Sequence, residues 1–284
     1  MNPLLYINWD VDPNIIHTNG FTLGYYNILF VGGLILSAWI VKKIFKKEGL
    51  SDDDYARLAL YCFVGIVAGA RLGHCLFYQP EYYLKHPLEM FLPFSWEDGT
   101  FKFTGYRGLA SHGGAIGLII AVLLFYRKTG IHYLTVFDYI AIVAPLGGAF
   151  IRLGNLMNSE IIGNPANLPW AFIFMRVDQI PRHPAQLYEA IAYLIFFLLV
   201  FMLYKTRGEI LKRGFLFGLV LILIFTFRFF IEFLKKEQVD FEKGLMLNMG
   251  QWLSIPFILI GIYLIFFHKK STLSGRGPEK SHYR

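Results

Sequence analysis

The chain has 284 residues, of which 55% are hydrophobic, and its mean hydropathy is +0.47. A soluble domain of this size needs far more polar surface, so the composition excludes an ordinary soluble protein. The formal net charge of +7 lies mainly in alternate loops and in the C-terminal tail, which argues for a topology signal and against nucleic-acid binding.

Apolar runs of membrane-spanning length follow one another along the chain. A bilayer core of roughly 30 Å needs about 20 apolar residues per helix. The sequence therefore predicts an all-α polytopic membrane protein with about seven transmembrane helices in one membrane domain, residues 1–267. The predicted spans are Phe21–Val41, Arg57–Phe77, Ser111–Tyr126, Val136–Met157, Pro184–Tyr204, Gly214–Leu234 and Met249–Phe267.

The positions of the basic residues predict the orientation of these spans. Lysine and arginine cluster after the first, third and fifth spans and in the tail, whereas residues 1–20 contain neither. The positive-inside rule then places the N-terminus outside and the C-terminus in the cytoplasm. The basic tail, residues 268–284, is expected to be disordered.

Polar side chains gather at the outer ends of the predicted spans. Ionisable groups inside a membrane are costly, so their convergence at one depth predicts a polar cavity that opens toward the outer leaflet. Asp138 lies at the opposite end of the fourth span and is expected to partner or cap a helix N-terminus. The converging residues are Tyr26, Arg71, His74, His112, Arg152, Asn155, Asn158, Gln186, Glu189, Arg228, Glu232, Gln251 and Ser254.

Arginine is the prominent cation of this set. Because its planar guanidinium bonds two phosphate oxygens at once, Arg71, Arg152 and Arg228 predict an anionic ligand, and the plentiful one in a membrane is a phospholipid headgroup. Structural alternatives stay open at this point. Arg228 and Glu232 can form a structural ion pair, Arg71 can extend to the interface, and the glycines of the third span can serve helix packing.

Five blocks of the sequence resemble bacterial prolipoprotein diacylglyceryl transferases. Their order and spacing match from about Asp12 to Phe267. Three positions depart from the family pattern: Tyr106-Arg107-Gly108 lacks the usual acidic residue and glycine pair, Gly24 replaces a histidine of some members, and Ser159 replaces a common glycine. The blocks are Gly148–Gly163, Gly108–Gly114 with its His112-Gly113-Gly114, Arg182–Glu189, Arg228–Phe233 and Met249–Pro256.

The resemblance implies an enzyme of the bacterial inner membrane, with its active site toward the periplasm. Its expected activity is transfer of the diacylglyceryl group of phosphatidylglycerol to the lipobox cysteine of a prolipoprotein signal peptide, with formation of a thioether and release of glycerol phosphate. Its partners are these two substrates and membrane lipids, without nucleic acid. The expected fold is a seven-helix bundle with a small periplasmic head, here from loops 78–110 and 159–183. No metal or cofactor is expected.

Residue roles are hypotheses that follow from this resemblance and from the chemistry. His112 is a candidate base for the thiol, or it only orients the head loop; Arg152 and Arg228 are candidates to stabilise the leaving phosphate. Glu160 and Glu232 can orient the arginines, and Asn155 and Tyr26 can bond the glycerol or phosphate. The predicted substrate-binding residues are Tyr26, Arg71, Gly113, Gly114, Asn155, Asn158, Glu160, Gly163, Gln186, Glu189 and Glu232.

Three rival functions remain as alternatives. A lipid or anion transporter would use the same outer-leaflet cavity, but its path should cross nearly apolar inner halves. A phospholipid-binding scaffold without turnover differs from the enzyme only by the family motifs. An intramembrane protease is disfavoured because neither a Ser–His nor a paired-Asp arrangement is predicted at one depth.

Overall fold

The computed structural model describes residues 6–18, 21–92, 94–97, 100–103, 108–236 and 247–268. The basic tail beyond residue 268, and Tyr106 and Arg107, lie outside these residues. The helices are α1 Tyr25–Lys47, α2 Asp52–Phe77, α3 Pro80–Tyr83, α4 Ser111–Thr129, α5 Tyr133–Met157, α6 Ala185–Arg207, α7 Phe215–Ile231 and α8 Met249–Phe266, with 3-10 helices Pro87–Met90 and Glu232–Leu234. The short strands are β1 Ile7–Trp9, β2 Asn14–Thr18, β3 Phe21–Gly24, β4 Phe94–Glu97, β5 Thr100–Phe103, β6 Phe172–Phe174 and β7 Pro181–Arg182.

Within the described residues, six helices are long and apolar enough to cross a membrane: α1, α2, α5, α6, α7 with its 3-10 extension, and α8. This finding confirms a mostly helical, polytopic membrane protein. Helix α4 coincides with the third predicted span but is not one of the six. It begins with Ser111-His112 and ends with Arg127, Lys128 and Thr129, so its polar ends lower its mean hydropathy.

The first predicted span begins too early. Phe21–Gly24 is a strand that pairs antiparallel with β2, and α1 begins only at Tyr25. The Tyr25 N–H donates to the Pro13 carbonyl at 2.9 Å, which fixes the turn into the helix. The second span, in contrast, extends before Arg57, because the Ser51 hydroxyl accepts the Asp54 N–H at 3.0 Å and caps α2.

The described residues form two compact units, the first within residues 6–44 and 137–268 and the second within residues 45–136. In the first unit, α7 and α8 approach closely at Gly218 and Gly261. A Cβ atom on Gly261 would lie 2.7 Å from the Gly218 carbonyl oxygen, and one on Gly218 would lie 2.9 Å from that of Gly261. The pair therefore packs backbone against backbone.

Asp138 links α5 to the start of α7. Its side chain is fully buried, and its two carboxylate oxygens accept the N–H groups of Gly214 at 2.6 Å and Phe217 at 2.8 Å. These amides are among those that a helix N-terminus leaves unpaired. The expectation that Asp138 caps a helix is confirmed, and the helix it caps is α7.

A small sheet holds the segment after α5. Strand β1 runs parallel to β6, and β7 pairs antiparallel with β6 on its other side. The buried side chains of Leu156, Ile162, Phe172 and Phe174 form its core. The Trp9 indole N–H donates to the Leu156 carbonyl at 3.0 Å, which ties the sheet to the end of α5.

In the second unit, α2 and α4 pack against each other at glycine residues, where their backbones come close together. A Cβ atom on Gly73 would lie 2.8 Å from the Gly113 Cα, and one on Gly69 would lie 2.9 Å from the Gly117 Cα. Gly114 differs, because a Cβ atom there would lie an ordinary 3.6 Å from its nearest neighbours. The packing interpretation is confirmed for Gly113 and Gly117, and it does not explain Gly114.

Candidate active site

Arg152 lies near the end of α5 and pairs with a buried carboxylate on α6. Its Nε is 3.2 Å from Glu189 Oε2, and its Nη1 donates to Asn155 Oδ1 at 3.3 Å. The Glu189 side chain is fully buried, whereas 15% of the Arg152 side chain is exposed. A buried carboxylate requires a cation, so Glu189 holds Arg152 in place while part of the guanidinium stays accessible.

Glu160 is held by the amide side chains that flank it. Asn155 and Asn158 each donate to one of its carboxylate oxygens at 3.1 Å. The buried Gln186 side chain on α6 donates to the Glu160 backbone carbonyl. The turn after α5 is thereby fixed against the start of α6, and Asn155 connects Glu160 to Arg152.

The same turn has a strained backbone. Ser159 and Ile161 adopt left-handed conformations, with φ of 55° and 56°. A residue with a side chain loses roughly 1–2 kcal/mol in this region, which glycine adopts readily. Ser159 replaces a glycine of the family pattern that the sequence resembles, so this departure carries a conformational cost. Such strain persists where surrounding contacts hold it, as the Glu160 bonds do here.

Glu232 forms the centre of the contacts at the end of α7. Its Oε1 lies 3.7 Å from Arg228 Nε, and its Oε2 accepts the Asn248 side-chain N–H at 3.2 Å. Asn248 and Gln251 form a capping box at the start of α8. A Cβ atom on Gly250 would lie 2.8 Å from the Glu232 carboxyl carbon, so this glycine makes room for the carboxylate. Glu232 is therefore fixed from several sides.

Lys235 joins the two carboxylates. Its Nζ donates to Glu189 Oε1 at 3.1 Å and to Glu232 Oε1 at 3.0 Å, and only 2% of its side chain is exposed. The result is a continuous charged chain from Arg152 through Glu189, Lys235 and Glu232 to Arg228. Sequence reasoning missed Lys235, although its position three residues after Glu232 is a recognisable helical pairing.

Tyr26 and Gly163 lie beside this chain in close backbone packing. The Tyr26 ring covers Gly154, where a Cβ atom would lie 2.7 Å from the ring. Gly163 bridges to Lys235, and its N–H donates to the His183 carbonyl at 3.0 Å. A Cβ atom on Gly163 would lie 2.5 Å from His183 and 2.9 Å from the Leu234 carbonyl oxygen. Glycine is required at Gly163 by packing alone.

Arg182 anchors the segment that precedes α6. It bonds both carboxylate oxygens of Asp178 and donates to the Gly163 carbonyl at 3.2 Å. These hydrogen bonds hold the pKa of Asp178 below its ordinary value. Partial burial lowers the pKa of the neighbouring His183, whose Nδ1 lies 3.4 Å from the Tyr188 hydroxyl.

The remaining predicted residues belong to the second unit. Arg71 is buried: its Nε donates to the Met90 carbonyl at 3.2 Å, its Nη2 donates to the Glu89 carbonyl at 2.6 Å, and its guanidinium lies 4.9 Å from the centre of the Tyr83 ring. Arg71 therefore holds the segment after α2, and its side chain is buried in the protein. His112 is the exposed second residue of α4.

The structure gathers most of the predicted site into one network of contacts. Among the residues that the structure describes, no cluster of His, Cys, Asp and Glu can hold a metal ion. The predicted residues of the first unit that form this network or lie against it are Tyr26, Arg152, Asn155, Asn158, Glu160, Gly163, Gln186, Glu189, Arg228 and Glu232. Those of the second unit are Arg71, His112, Gly113 and Gly114.

Comparison with known proteins shows the family. The family model of prolipoprotein diacylglyceryl transferase matches residues 13–267. A phosphatidylglycerol–prolipoprotein diacylglyceryl transferase of Bacteroides fragilis is 54% identical over 270 residues, which cover 95% of this chain and 98% of the relative. The same enzyme of Tolumonas auensis is 43% identical and covers 92% and 97%, and that of Porphyromonas gingivalis is 43% identical and covers 95% and 97%. The chain belongs to the prolipoprotein diacylglyceryl transferase family.

Proposed function

We propose that this protein transfers the diacylglyceryl group of phosphatidylglycerol to the thiol of the lipobox cysteine in a prolipoprotein signal peptide. The reaction forms a thioether and releases glycerol phosphate, and it is the first step of lipoprotein maturation. The observation that carries this proposal is the family match over residues 13–267. The contacts of Arg152 and Arg228 support it, because both arginines are held by carboxylates and keep part of their side chains accessible.

The chemistry of the transfer explains why two anchored arginines are useful. The thiolate sulfur attacks the lipid carbon that bears the phosphate ester. A carbon–sulfur bond forms, the carbon–oxygen bond breaks, and the bonding electrons leave with the phosphate oxygen. Arg152 and Arg228 stabilise this developing negative charge, and one well-placed donor is typically worth about 2.7–4 kcal/mol in the transition state. Since their positions are fixed beforehand, little reorganisation is required.

The thiol must lose its proton before or during attack, and His112 is the proposed acceptor. Histidine titrates near neutral pH, and the thiolate is the nucleophilic form of cysteine. The exposed position of His112 in the first turn of α4 leaves its ring accessible. If His112 instead orients the head loop, water or the leaving phosphate takes the proton.

The substrate-binding assignments are refined by the contacts. Asn155, Asn158 and Glu160 lie beside Arg152 and are joined to one another by hydrogen bonds. Asn158 and Glu160 are more accessible to solvent than Asn155. Glu189 and Gln186 are fully buried, so we assign them to positioning. Gly163 is explained by packing, and Arg71 by its contacts with the segment after α2. Tyr26 and Gly114 keep their proposed roles at the substrate.

The proposed location is the bacterial inner membrane, with the active site on the periplasmic face. In this arrangement α4 is the seventh span, the N-terminus is periplasmic and the C-terminus is cytoplasmic. The basic last turns of α1, α4 and α6 support the orientation. Loops 78–110 and 159–183 then form the periplasmic head of a single membrane domain.

Release of glycerol phosphate tests the function directly. Purified protein is mixed with phosphatidylglycerol in detergent micelles and with a synthetic lipobox peptide, and the same peptide with cysteine replaced by serine is the control. Thiol-dependent release is expected, together with a peptide whose mass increases by one diacylglyceryl group. Bound lipid without release from either peptide contradicts the transferase and favours a lipid or anion transporter.

A further inference from the structure

Lys235 is a buried cation that takes no part in the steps of the proposed reaction. It follows the 3-10 helix at the end of α7, and its Nζ lies 3.1 Å from Glu189 and 3.0 Å from Glu232. A lysine is rarely so fully buried unless its charge is paired, and here it is paired twice. Each of the two carboxylates also pairs with one arginine, Glu189 with Arg152 and Glu232 with Arg228.

The five linked charged groups, from Arg152 to Arg228, contain more positive than negative charges. Arg152 and Arg228 alone would be neutralised by Glu189 and Glu232, because two positive charges would meet two negative ones. Lys235 adds a third cation to the same two carboxylates, so the five groups carry one net positive charge. Glu160 is left out of this count because it is exposed to water, which screens its charge, and because it meets Arg152 through the Asn155 amide. An anionic group is therefore the natural complement.

The distances indicate how the lysine shares the carboxylates. Lys235 Nζ lies 3.0 Å from Glu232 Oε1, whereas Arg228 Nε lies 3.7 Å from the same oxygen. On the other side, Lys235 takes Glu189 Oε1 while Arg152 faces Oε2. Each carboxylate is thus partly neutralised by the lysine, which leaves both guanidinium groups less saturated than in isolated ion pairs.

We propose that Lys235 is a positioning residue for the anionic phosphate of the lipid substrate. It acts through Glu189 and Glu232, which hold Arg152 and Arg228, and it gives the site its net positive charge. This inference rests on the proposed function for the identity of the substrate. The lysine itself touches neither the phosphate nor the thiol in this scheme, because its Nζ is already occupied by the two carboxylates.

A substitution can separate the side-chain charge from the backbone contacts. The backbone of Lys235 bridges to Gly163, and its N–H bonds the Glu232 carbonyl at 3.3 Å, so these contacts persist in Lys235→Met. Lys235→Arg keeps the charge, and Lys236→Met removes an adjacent but exposed charge as a matched control. All three variants are compared with the wild type in mixed micelles, with the concentrations of phosphatidylglycerol and lipobox peptide varied independently.

Lys235→Met is expected to reduce kcat/KM for phosphatidylglycerol by about tenfold or more, in line with loss of a charged hydrogen bond. The KM for the peptide should change by less than about twofold, because the effect is confined to the phosphate. Lys235→Arg should recover most of the loss, and Lys236→Met should resemble the wild type. Normal lipid kinetics in Lys235→Met, or an equal loss toward both substrates, overturns the proposal.

A double variant distinguishes charge from loss of structure. In Lys235→Met with Glu189→Gln, one positive and one negative charge are removed together, so the net charge of the group is restored. Because Glu189 also holds Arg152, the double variant is compared with Glu189→Gln alone. A loss of lipid affinity no larger than that of Glu189→Gln supports action through Glu189, and fully additive losses overturn it. Lipid binding is measured separately, as the preference for phosphatidylglycerol over phosphatidylcholine. If the wild type binds without turnover, the proposed function fails, while this preference still tests Lys235.

Discussion

Gly113 and Gly114 are neighbours on α4, but the packing of α2 against α4 leaves space for a side chain at Gly114 and none at Gly113. A Cβ atom on Gly113 would overlap the Gly69 carbonyl oxygen and lie 2.9 Å from the Gly73 Cα. These are backbone atoms, so no side-chain rotation can relieve the contact. A Cβ atom on Gly114 would lie 3.6 Å from Ala70, which is ordinary van der Waals contact. Gly113→Ala should therefore destabilise the protein, whereas Gly114→Ala should be accommodated.

The expected magnitude follows from two opposing effects. Overpacking typically costs about 1–3 kcal/mol. Replacing a helical glycine by alanine returns roughly 0.5–1 kcal/mol. Gly113→Ala should thus lose up to about 2.5 kcal/mol, and Gly114→Ala should gain a fraction of about 1 kcal/mol. At about 2–4 °C per kcal/mol for a chain of 150–250 residues, the apparent Tm values should differ by several degrees. Both variants are heated at one scan rate in one detergent, because unfolding can be irreversible.

The activities of the same two variants give the functional result. Gly114→Ala that unfolds like the wild type but no longer releases glycerol phosphate would place a ligand against this glycine, since packing does not require it. Gly113→Ala should lose activity only in proportion to its lost stability. Equal apparent Tm values for the two variants would refute the packing distinction, and full activity in Gly114→Ala would remove that residue from the proposed site.

Three further outcomes are expected. Arg152→Ala and Arg228→Ala should each lower glycerol phosphate release by about 10²–10³-fold while the protein stays in the membrane fraction; near-normal turnover contradicts their roles. His112→Gln should slow release, and raising the pH should restore part of the rate as the thiol ionises unaided; a modest loss without such rescue indicates a structural histidine. Because Arg182 holds the pKa of Asp178 below its ordinary value, the pair stabilises the fold fully above about pH 4, and this contribution is lost as the pH falls through the lowered pKa. Arg182→Met should therefore lower the apparent Tm at pH 7 more than at pH 3, and equal losses at both values exclude this linkage.

The positions of most long helices follow from the lengths of the apolar runs alone. The predictions fail at helix ends, where local hydrogen bonds determine the first residue of the helix. Strand β3 lies within the first predicted span because its residues are as apolar as a helix end. Its pairing with β2 and the Tyr25–Pro13 hydrogen bond nevertheless delay the start of the helix. Helix α2 begins before the second predicted span, because the polar residues Asp52, Asp53 and Asp54 do not count as part of an apolar run. Acidic residues are nevertheless favourable in a first helical turn, behind the Ser51 cap.

The part of the site that lies in spanning helices is predictable, because ionisable residues are costly there and therefore rare. Arg152, Glu189, Arg228 and Glu232 stood out because ionisable side chains are rare in spanning helices. Lys235 did not, because a lysine just beyond a predicted span is ordinarily read as an interfacial residue. Its burial results from the bridge between the end of α7 and Gly163, a contact between segments far apart in sequence that no local pattern reveals.

In the proposed site, the ion pair of Arg228 with Glu232 is a structural contact that leaves the arginine available to a ligand. The Glu232 carboxylate is held by Lys235 at 3.0 Å and by Asn248 at 3.2 Å, while Arg228 Nε stays 3.7 Å away. The carboxylate is thus fixed mainly by its other partners and orients the guanidinium without saturating it. With 36% of its side chain exposed, Arg228 can bind a phosphate while giving up little existing interaction. An arginine locked in a bidentate pair would have to break that pair first, and the lost bonds would be subtracted from its affinity.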